Sequence, residues 1–549
     1  MINEINLFDK ALNSFLNKSI KLKKKKRLKK VYFLRNEQVE NFARKINYYT
    51  ELSSLKFNFF FSGYDNNLNI PKKKHDLVII WLDYSNYKIN NEFFYWIKAK
   101  VDALTSFCDY ILVKPIIIPN TSLKKITHLN NLYRKKIKNE KVIFLDIADE
   151  ILKKKKDFWD LERSEFFGTK TSLYGQDLYA KLLGLQVLPS LFNQKIKSII
   201  FDLDDTLYNG TVGEDGVKKI YLDKNQKNAE KLYSLLSKNG TLLSISSKNN
   251  YEDVVDVFKK KILKKKLFYP IKANWMSKSK NIKDIQKILK ISFQNILFID
   301  NNISEVIEVK KNIPEIKVFW SKNSESLINC LKYYPNLRDY FNSEFKAINI
   351  KRLNDLKAFS KREKFLLSAK NDNYLEELKT KIDFRLNNKK EFNRIFSLVN
   401  KVNQFIFNYK RFNKTQVKEY YKNSNKFVFT ISLKDKFSDS GNIGVIFFSK
   451  MNNIMYLDEL CISCRALGRN LENYFIFYPL QILSKKIKFD KVFINFKRGA
   501  KNKPAETYFG ILHKKFFNKK LIKTRIEIPI SQINQDLIKN SNISVSFKN

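Results

Sequence analysis

Short apolar runs alternate with amphipathic stretches of helical length along most of this chain, and that rhythm predicts its layers. In the first part, residues 78–82 (Val-Ile-Ile-Trp-Leu), 110–113 and 142–145 are apolar runs of strand length. The polar stretches between them are long enough for crossover helices, so residues 1–190 are expected to form an α/β layer. Residues 195–340 repeat the pattern with sharper punctuation. Ile199-Ile200-Phe201 leads into Asp202, Leu242-Leu243-Ser244-Ile245 into Ser246 and Ser247, and Ile296-Leu297-Phe298-Ile299 into Asp300. Runs of this kind mark strands buried on both faces of a parallel sheet. Residues 229–238 set Leu232, Leu235 and Leu236 on one helical face, and Gly240 is placed to end that helix. Residues 337–355 read as a connection. Beyond Phe359 a helix-rich stretch is followed by strands at 426–432, 444–449 and 455–460, a helix after Gly468 and a strand at 491–496. That order predicts a mixed α+β domain. The chain is expected to be α/β in class, with three domains at 1–190, 195–340 and 355–549 and no internal repeat.

Composition narrows the function classes. With 549 residues, 44% hydrophobic and 14% aromatic, there is ample material for several cores, which excludes wholesale disorder and fibrous repeats. The formal net charge is +49, but the lysine runs at 23–26, 153–156, 259–261 and 264–266 are scattered among unrelated apolar patterns. No nucleic-acid-binding stripe stands out, and the charge reads as solvated surface that an acidic partner could still use. Four cysteines are too few for a disulfide framework, and His75, His128 and His513 are too far apart for zinc spacing. Cys461 and Cys464 form a single Cys-x-x-Cys, without a second pair to make it a metal or redox motif. Residues 1–30 lack the h-region of a signal peptide, and no apolar run approaches the ~18 residues of a membrane span. A cytoplasmic protein without a membrane span is expected.

The strand-end residues carry the chemistry. In an open parallel sheet, ligands bind beyond the carboxyl ends of the strands, where Asp202, Ser247 and Asp300 would converge. Asp202 and Asp204 can supply a nucleophile or metal ligand and a proton-transfer group, and Asp300 completes an oxygen site suited to Mg²⁺. The competing reading makes Asp202, Asp204 and Asp205 caps or turn residues. Glycine usage weighs against it. The chain has only 13 glycines, yet Gly210, Gly213 and Gly216 fall within seven residues just after the aspartates, as a tight flap over a site would require.

Residues 202–216 (Asp-Leu-Asp-Asp-Thr-Leu-Tyr-Asn-Gly-Thr-Val-Gly-Glu-Asp-Gly) resemble the first motif and flap of the FkbH-like proteins, the class IIIC branch of the haloacid dehalogenase superfamily. Ser247-Lys248-Asn249 is similar to the second motif, Ala273-Asn274-Trp275 with Lys278 to the third, and Ile299-Asp300-Asn301-Asn302 with Glu305 to the fourth. The resemblance implies a Rossmann-like central sheet in which Asp202 attacks a phosphoryl group and Asp204 serves as general acid, then base. Thr206, Ser247 and Lys278 would hold the phosphoryl oxygens. Mg²⁺ would be held by Asp202, the main-chain carbonyl of Asp204, and Asp300.

Downstream, residues 402–405 (Val-Asn-Gln-Phe), 437–444, 463–469 (Ser-Cys-Arg-Ala-Leu-Gly-Arg) and 500–504 (Ala-Lys-Asn-Lys-Pro) resemble the family's C-terminal half, which is similar to the GNAT acyltransferase fold. There Arg465, Gly468 and Arg469 would meet the phosphates of coenzyme A or a phosphopantetheine arm, and Cys464 is a possible functional thiol, its competing reading a small buried hydrophobe beside the strand end. Upstream, residues 75–82 resemble the family's flavodoxoid, SGNH-hydrolase-like N-terminal domain, without a nucleophilic Gly-Asp-Ser motif. The chain departs from the family pattern at Asn301, where a second aspartate is usual, at Ser246, often cysteine, at Asn470, usually glycine, and at Phe509, commonly tyrosine. The resemblance implies an enzyme that removes phosphate from 1,3-bisphosphoglycerate and loads a glyceryl or related acyl unit onto the phosphopantetheine thiol of an acyl carrier protein. The alternative is a plain Mg²⁺-dependent phosphatase for a small phosphorylated sugar or acid. A third class, a basic nucleic-acid-binding protein, would need strong affinity for generic DNA or RNA.

Overall fold

The computed structural model describes residues 26–64, 68–139, 141–145, 155–337, 354–355, 358, 378–463, 466–467, 469, 471–516, 524–533, 537–538 and 543–548. It divides into two compact units, Met1–Ala347 and Ile348–Asn549.

The first unit contains two five-stranded sheets, both parallel throughout. One is built from β1 (Arg27–Arg35), β2 (Leu55–Phe61), β3 (His75–Trp81), β4 (Cys108–Val113) and β5 (Val142–Phe144), in the order β2-β1-β3-β4-β5 of flavodoxin-like sheets. The other holds β6 (Ser198–Phe201), β7 (Leu242–Ser247), β8 (Phe268–Ala273), β9 (Ile296–Asp300) and β10 (Lys317–Trp320), ordered β10-β9-β6-β7-β8. The chain runs outward from β6 to one edge, returns, and runs to the other. That reversal opens a crevice between β6 and β9, the place where doubly wound sheets bind ligands. Every residue of β6, β7 and β9 is buried, as their unbroken apolar runs predict.

Helices cover the faces of this second sheet. The helix Lys224–Lys238 starts on a capping box between Asp223 and Gln226, and its stop at Gly240, φ 88°, is where sequence expected it. Tyr233 from this helix packs on Phe201 and Phe268. Leu52 and Tyr333 pack against the cores of both sheets, which ties the first two expected domains together within one unit.

The second unit is a seven-stranded mixed sheet. Its strands are β11 (Lys381–Leu386), β12 (Lys426–Lys434), β13 (Asp439–Met451), β14 (Ile454–Ile462), β15 (Lys491–Asn495), β16 (Arg525–Pro529) and β17 (Ser544–Lys548), in the order β16-β15-β14-β13-β12-β11-β17. β14 and β15 pair in parallel only from Ile454 with Lys491 to Leu457 with Ile494, after which β14 continues to Ile462 paired with β13 but without β15. The strands expected at 426–432, 444–449, 455–460 and 491–496 and the helix after Gly468 (Glu472–Lys486) are all present. Most of the expected connection at 337–355 and of the helix-rich stretch after Phe359 lies outside the described residues. Among the described residues, no helix is long and apolar enough to cross a membrane.

Candidate active site

The second sheet delivers its polar residues to one place. Asp202 follows β6, Ser246 and Ser247 end β7, and Asp300 ends β9. Lys278 opens the helix Lys278–Leu289, whose N-cap is Ser277, and its side chain is buried among them. The Lys278 ammonium pairs with Asp202 Oδ1, lies 3.2 Å from Asp300 Oδ2 and donates to Ser246 O at 2.8 Å. Burial alone would lower the pKa of this lysine, but the carboxylates of Asp202 and Asp300 outweigh it and hold it above its ordinary value. Burial and the charge of Asp202 push the Asp300 carboxyl up to about 7. Asp300 Oδ1 accepts from the Asn302 N–H at 2.8 Å, whereas the buried Oδ2 receives no hydrogen bond.

Asp204 is held differently. Its Oδ1 accepts from Tyr208 OH at 2.6 Å and Val212 N–H at 3.2 Å, and its Oδ2 from Asn249 Nδ2 at 2.8 Å. Burial raises its pKa despite these three donors, the direction a proton donor near neutral pH requires. The turn reading holds for the third aspartate alone: Asp205 has φ 49°, and its carboxylate takes the Gly210 N–H at 2.8 Å. The expected flap is the single helical turn Val212–Asp215, bracketed by Gly210 at φ 97° and Gly216 at φ 71°, backbone angles that favour glycine. Val212 connects this flap to Asp204, so the flap also fixes the direction of the Asp204 carboxylate.

Ser247 is buried, and its Oγ accepts from Asn249 Nδ2 at 2.9 Å. Thr206, expected at the phosphate, has its hydroxyl committed elsewhere: it accepts from the Asn301 N–H at 3.1 Å and donates to Asn301 Oδ1 at 3.3 Å. It joins the loop after β6 to the loop after β9, and Trp320 Nε1 braces that second loop through Asn301 O at 2.8 Å. Asn301 thus ties the two loops together through Thr206 and Trp320. Sequence reasoning also passed over the part Tyr208 plays. Its position four residues after Asp204, inside a buried loop, was the available signal.

The donor set suits a small, hard dication. The Asp202 and Asp300 carboxylates both reach the Lys278 ammonium, so they converge on one point, and Asp300 Oδ2, ion-paired but without a hydrogen bond, has a lone pair left for a dication. The Asp204 carboxylate is turned to the flap, which leaves its main-chain carbonyl as the group it could offer. Among the described residues no three His, Cys, Asp or Glu side chains cluster as a metal site, in keeping with two carboxylates plus a carbonyl.

The second unit departs from expectation. Arg469, expected to meet a pantetheine or coenzyme A phosphate, is buried in an ion pair with Asp435 at 2.9 Å, because a buried guanidinium needs a counter-charge. Cys464, Arg465 and Gly468 lie outside the described residues. Where β14 runs on without β15, residues 405–407 take its place. Phe407 N–H donates to Leu460 O at 3.2 Å and Ile462 N–H to Phe405 O at 2.9 Å, with Ile406 opposite Cys461. Glu459, which sequence analysis did not single out, clamps this strap: it accepts from the N–H groups of Phe407, Asn408, Leu460 and Lys410 at 2.6–3.0 Å. Asn502 latches it from the other side by donating to Ile406 O at 3.0 Å. Phe509 stacks on Phe496 with ring centroids 4.9 Å apart and offers no hydroxyl.

No protein-family model matches the chain, and no curated protein matches it. Solved structures do. The N-terminal part of the protein BF1531 from Bacteroides fragilis, which contains a phosphatase domain and is complexed with Mg, is similar to 60% of this chain over 99% of its own, with 18% identity and a TM-score of 0.46. Spermidine N-acetyltransferase from Vibrio cholerae, in complex with CoA and spermine, matches 28% of this chain over 97% of its own at 12% identity and a TM-score of 0.21. Tetrahymena GCN5 matches 27% over 97% at 14% identity and a TM-score of 0.19.

Proposed function

We propose that the chain is a Mg²⁺-dependent phosphoryl-transfer enzyme of the haloacid dehalogenase type, acting on a small phosphorylated substrate. The observation that carries this reading is the meeting of Asp202, Lys278 and Asp300 at the crevice of a parallel sheet, with Asp204 poised beneath a flap. Asp202 attacks phosphorus, the bond to the leaving oxygen breaks, and Asp204 donates a proton to that oxygen. Asp204 then takes a proton from the water that cleaves the aspartyl phosphate. Lys278 pairs with Asp202 and neutralises charge at the phosphoryl oxygens. A dication bound at Asp202 and Asp300 supplies further neutralisation of the phosphoryl group. The test is phosphate release from small phosphomonoesters and acyl phosphates with and without Mg²⁺. Asp202→Asn should lower it on the order of 10³-fold, about 4 kcal/mol of barrier, and retained turnover would refute the nucleophile.

The fuller reading couples this chemistry to acyl transfer. A pantetheine thiol attacks the acyl-phosphate carbonyl of 1,3-bisphosphoglycerate, the carbonyl C–O bond breaks, inorganic phosphate leaves with the thiol proton, and the Asp202 site removes the remaining phosphate ester from the resulting thioester. The motifs of residues 463–469 and 500–504 support that reading. The buried Arg469–Asp435 pair and the strap against β14 favour the plain phosphatase, because both occupy groups a pantetheine arm would use. Intact-protein mass spectrometry of a holo acyl carrier protein, incubated with enzyme, Mg²⁺ and 1,3-bisphosphoglycerate, separates the two. A glyceryl mass gain supports transfer, and phosphate release without it leaves the phosphatase.

A further inference from the structure

At the end of the central sheet away from Asp202, the first unit has a half-open cavity of about 520 Å³, within the ~300–1,000 Å³ range of small-molecule pockets. Both sheets line it, with Arg27 at the start of β1 and Lys317 at the start of β10. β10 pairs with β9 from Lys317 beside Leu297 to Trp320 beside Asp300, which puts roughly 10 Å of strand between the cavity and the catalytic end. A ligand here is out of reach of Asp202.

The lining has an unmet demand for a polar anion. Arg27, Lys310 and Lys317 face a single carboxylate, Glu315. Arg27 is fixed to the wall by hydrogen bonds to Phe192 O at 3.2 Å and to Asn193 Oδ1, with donors to spare. Lys310 donates to Pro314 O and Ile316 O. Lys317 has no ion-pair or hydrogen-bond partner among the described residues, and burial alone pushes its ammonium down to about 8. Two lining residues of the junction, Ser53 and Asn336, are buried, and Ser53 Oγ and Asn336 Oδ1 receive no hydrogen bond. A half-buried ammonium without a counter-charge and unsatisfied polar oxygens each cost stability, and a ligand that supplies their partners recovers it.

We propose that this cavity is a binding site for a small phosphate ester that carries free hydroxyl groups, its phosphate on Lys317 and Arg27 and its hydroxyls toward Ser53 and Asn336. It is an effector site, because the sheet separates it from the reacting carboxylates. The proposal is independent of the function of Asp202.

The test is calorimetric titration of the full chain with glycerol 3-phosphate in metal-free buffer, beside glycerol and inorganic phosphate. One ligand per chain should bind. Lys317→Met and Asn336→Asp should each weaken it about tenfold or more, and Lys317→Arg, which keeps the charge, should retain it. Glycerol should not bind, and phosphate should bind less tightly than the ester. Lys278→Met, at the other end of the sheet, should leave the affinity unchanged. Removal of the unpaired charge should also raise the melting temperature of the free chain in Lys317→Met, which distinguishes a lost site from a lost fold. No binding at about 10 mM probe, equal affinity in Lys317→Met, or loss in Lys278→Met would each overturn the proposal.

Discussion

Lys278→Met in metal-free buffer tests the electrostatic construction of the site directly. The ammonium is buried against Asp202 and Asp300, so its removal leaves two carboxylates facing each other with no cation between them. Breaking a buried pair in this way costs about 3–5 kcal/mol. The shift is ~2–4 °C per kcal/mol for a cooperative unit of some 150–250 residues and smaller for a larger one, so the melting temperature of the first unit, Met1–Ala347, should fall by roughly 5 °C. The fall depends on pH. Asp300 is already raised from 3.8 to about 7 in the folded chain, so the folded state binds the extra proton, and stability is lost as pH rises through that window. Without Lys278 the folded value rises further, so the deficit of the variant should be smaller at about pH 5 than at about pH 8. Mg²⁺ should restore more stability to the variant than to wild type, because the ion replaces the missing charge. Thermal melts at both pH values, with and without Mg²⁺, measure all of this. A melting temperature within a degree or two of wild type at about pH 8, equally responsive to Mg²⁺, would refute the three-way pairing.

Other perturbations separate the remaining roles. Asp204→Asn spares attack by Asp202 but removes the group that activates water, so a phosphorylated peptide containing Asp202 should accumulate in mass spectra. Glu459→Ala strips the acceptor from four backbone N–H groups and should cost on the order of 3 kcal/mol, read as faster hydrogen exchange at Phe407 and Ile462. Because burial raises Glu459 from 4.5 to about 7, the wild-type strap should loosen as pH rises across that window, and the alanine variant should lose the dependence. If the net charge is dispersed surface, binding to random duplex DNA should be weak at physiological salt and fall steeply with added salt; tight binding at about 0.15 M would contradict it.

The parts of the fold legible in sequence are those where one local pattern decides the outcome. β6, β7 and β9 are buried on both faces, so their apolar runs stand out, and the polar residue that ends each one is the site. β1 was hidden because its outer half, Leu28-Lys29-Lys30, is exposed and Lys29 is held by Asp76 at 2.7 Å. β2 alternates, with Leu55 and Phe57 buried and Lys56 and Asn58 exposed, a pattern that a search for continuous runs passes over. β8 contains Pro270, and β10 is a four-residue edge strand. Within the site, the residue types and the strand ends were readable. The direction of each side chain was not: Thr206 turns to Asn301 and Arg469 to Asp435 through contacts 95 and 34 residues away in sequence. The same holds for Glu459, whose charge interrupts an apolar strand for a reason found only in the N–H groups of residues 407–410.

The strap along the free edge of β14 dictates what could ever replace it. Phe405, Ile406 and Phe407 answer that edge with main-chain donors and acceptors, and Lys497 N–H and Asn502 Nδ2 close the far side at 2.8 and 3.0 Å. A hydrocarbon tail entering there would strand every one of those polar groups in a dry sheet. Only an amide-bearing guest, spaced like a peptide, could exchange with the strap on equal terms, because it alone would return a partner to each of those main-chain groups.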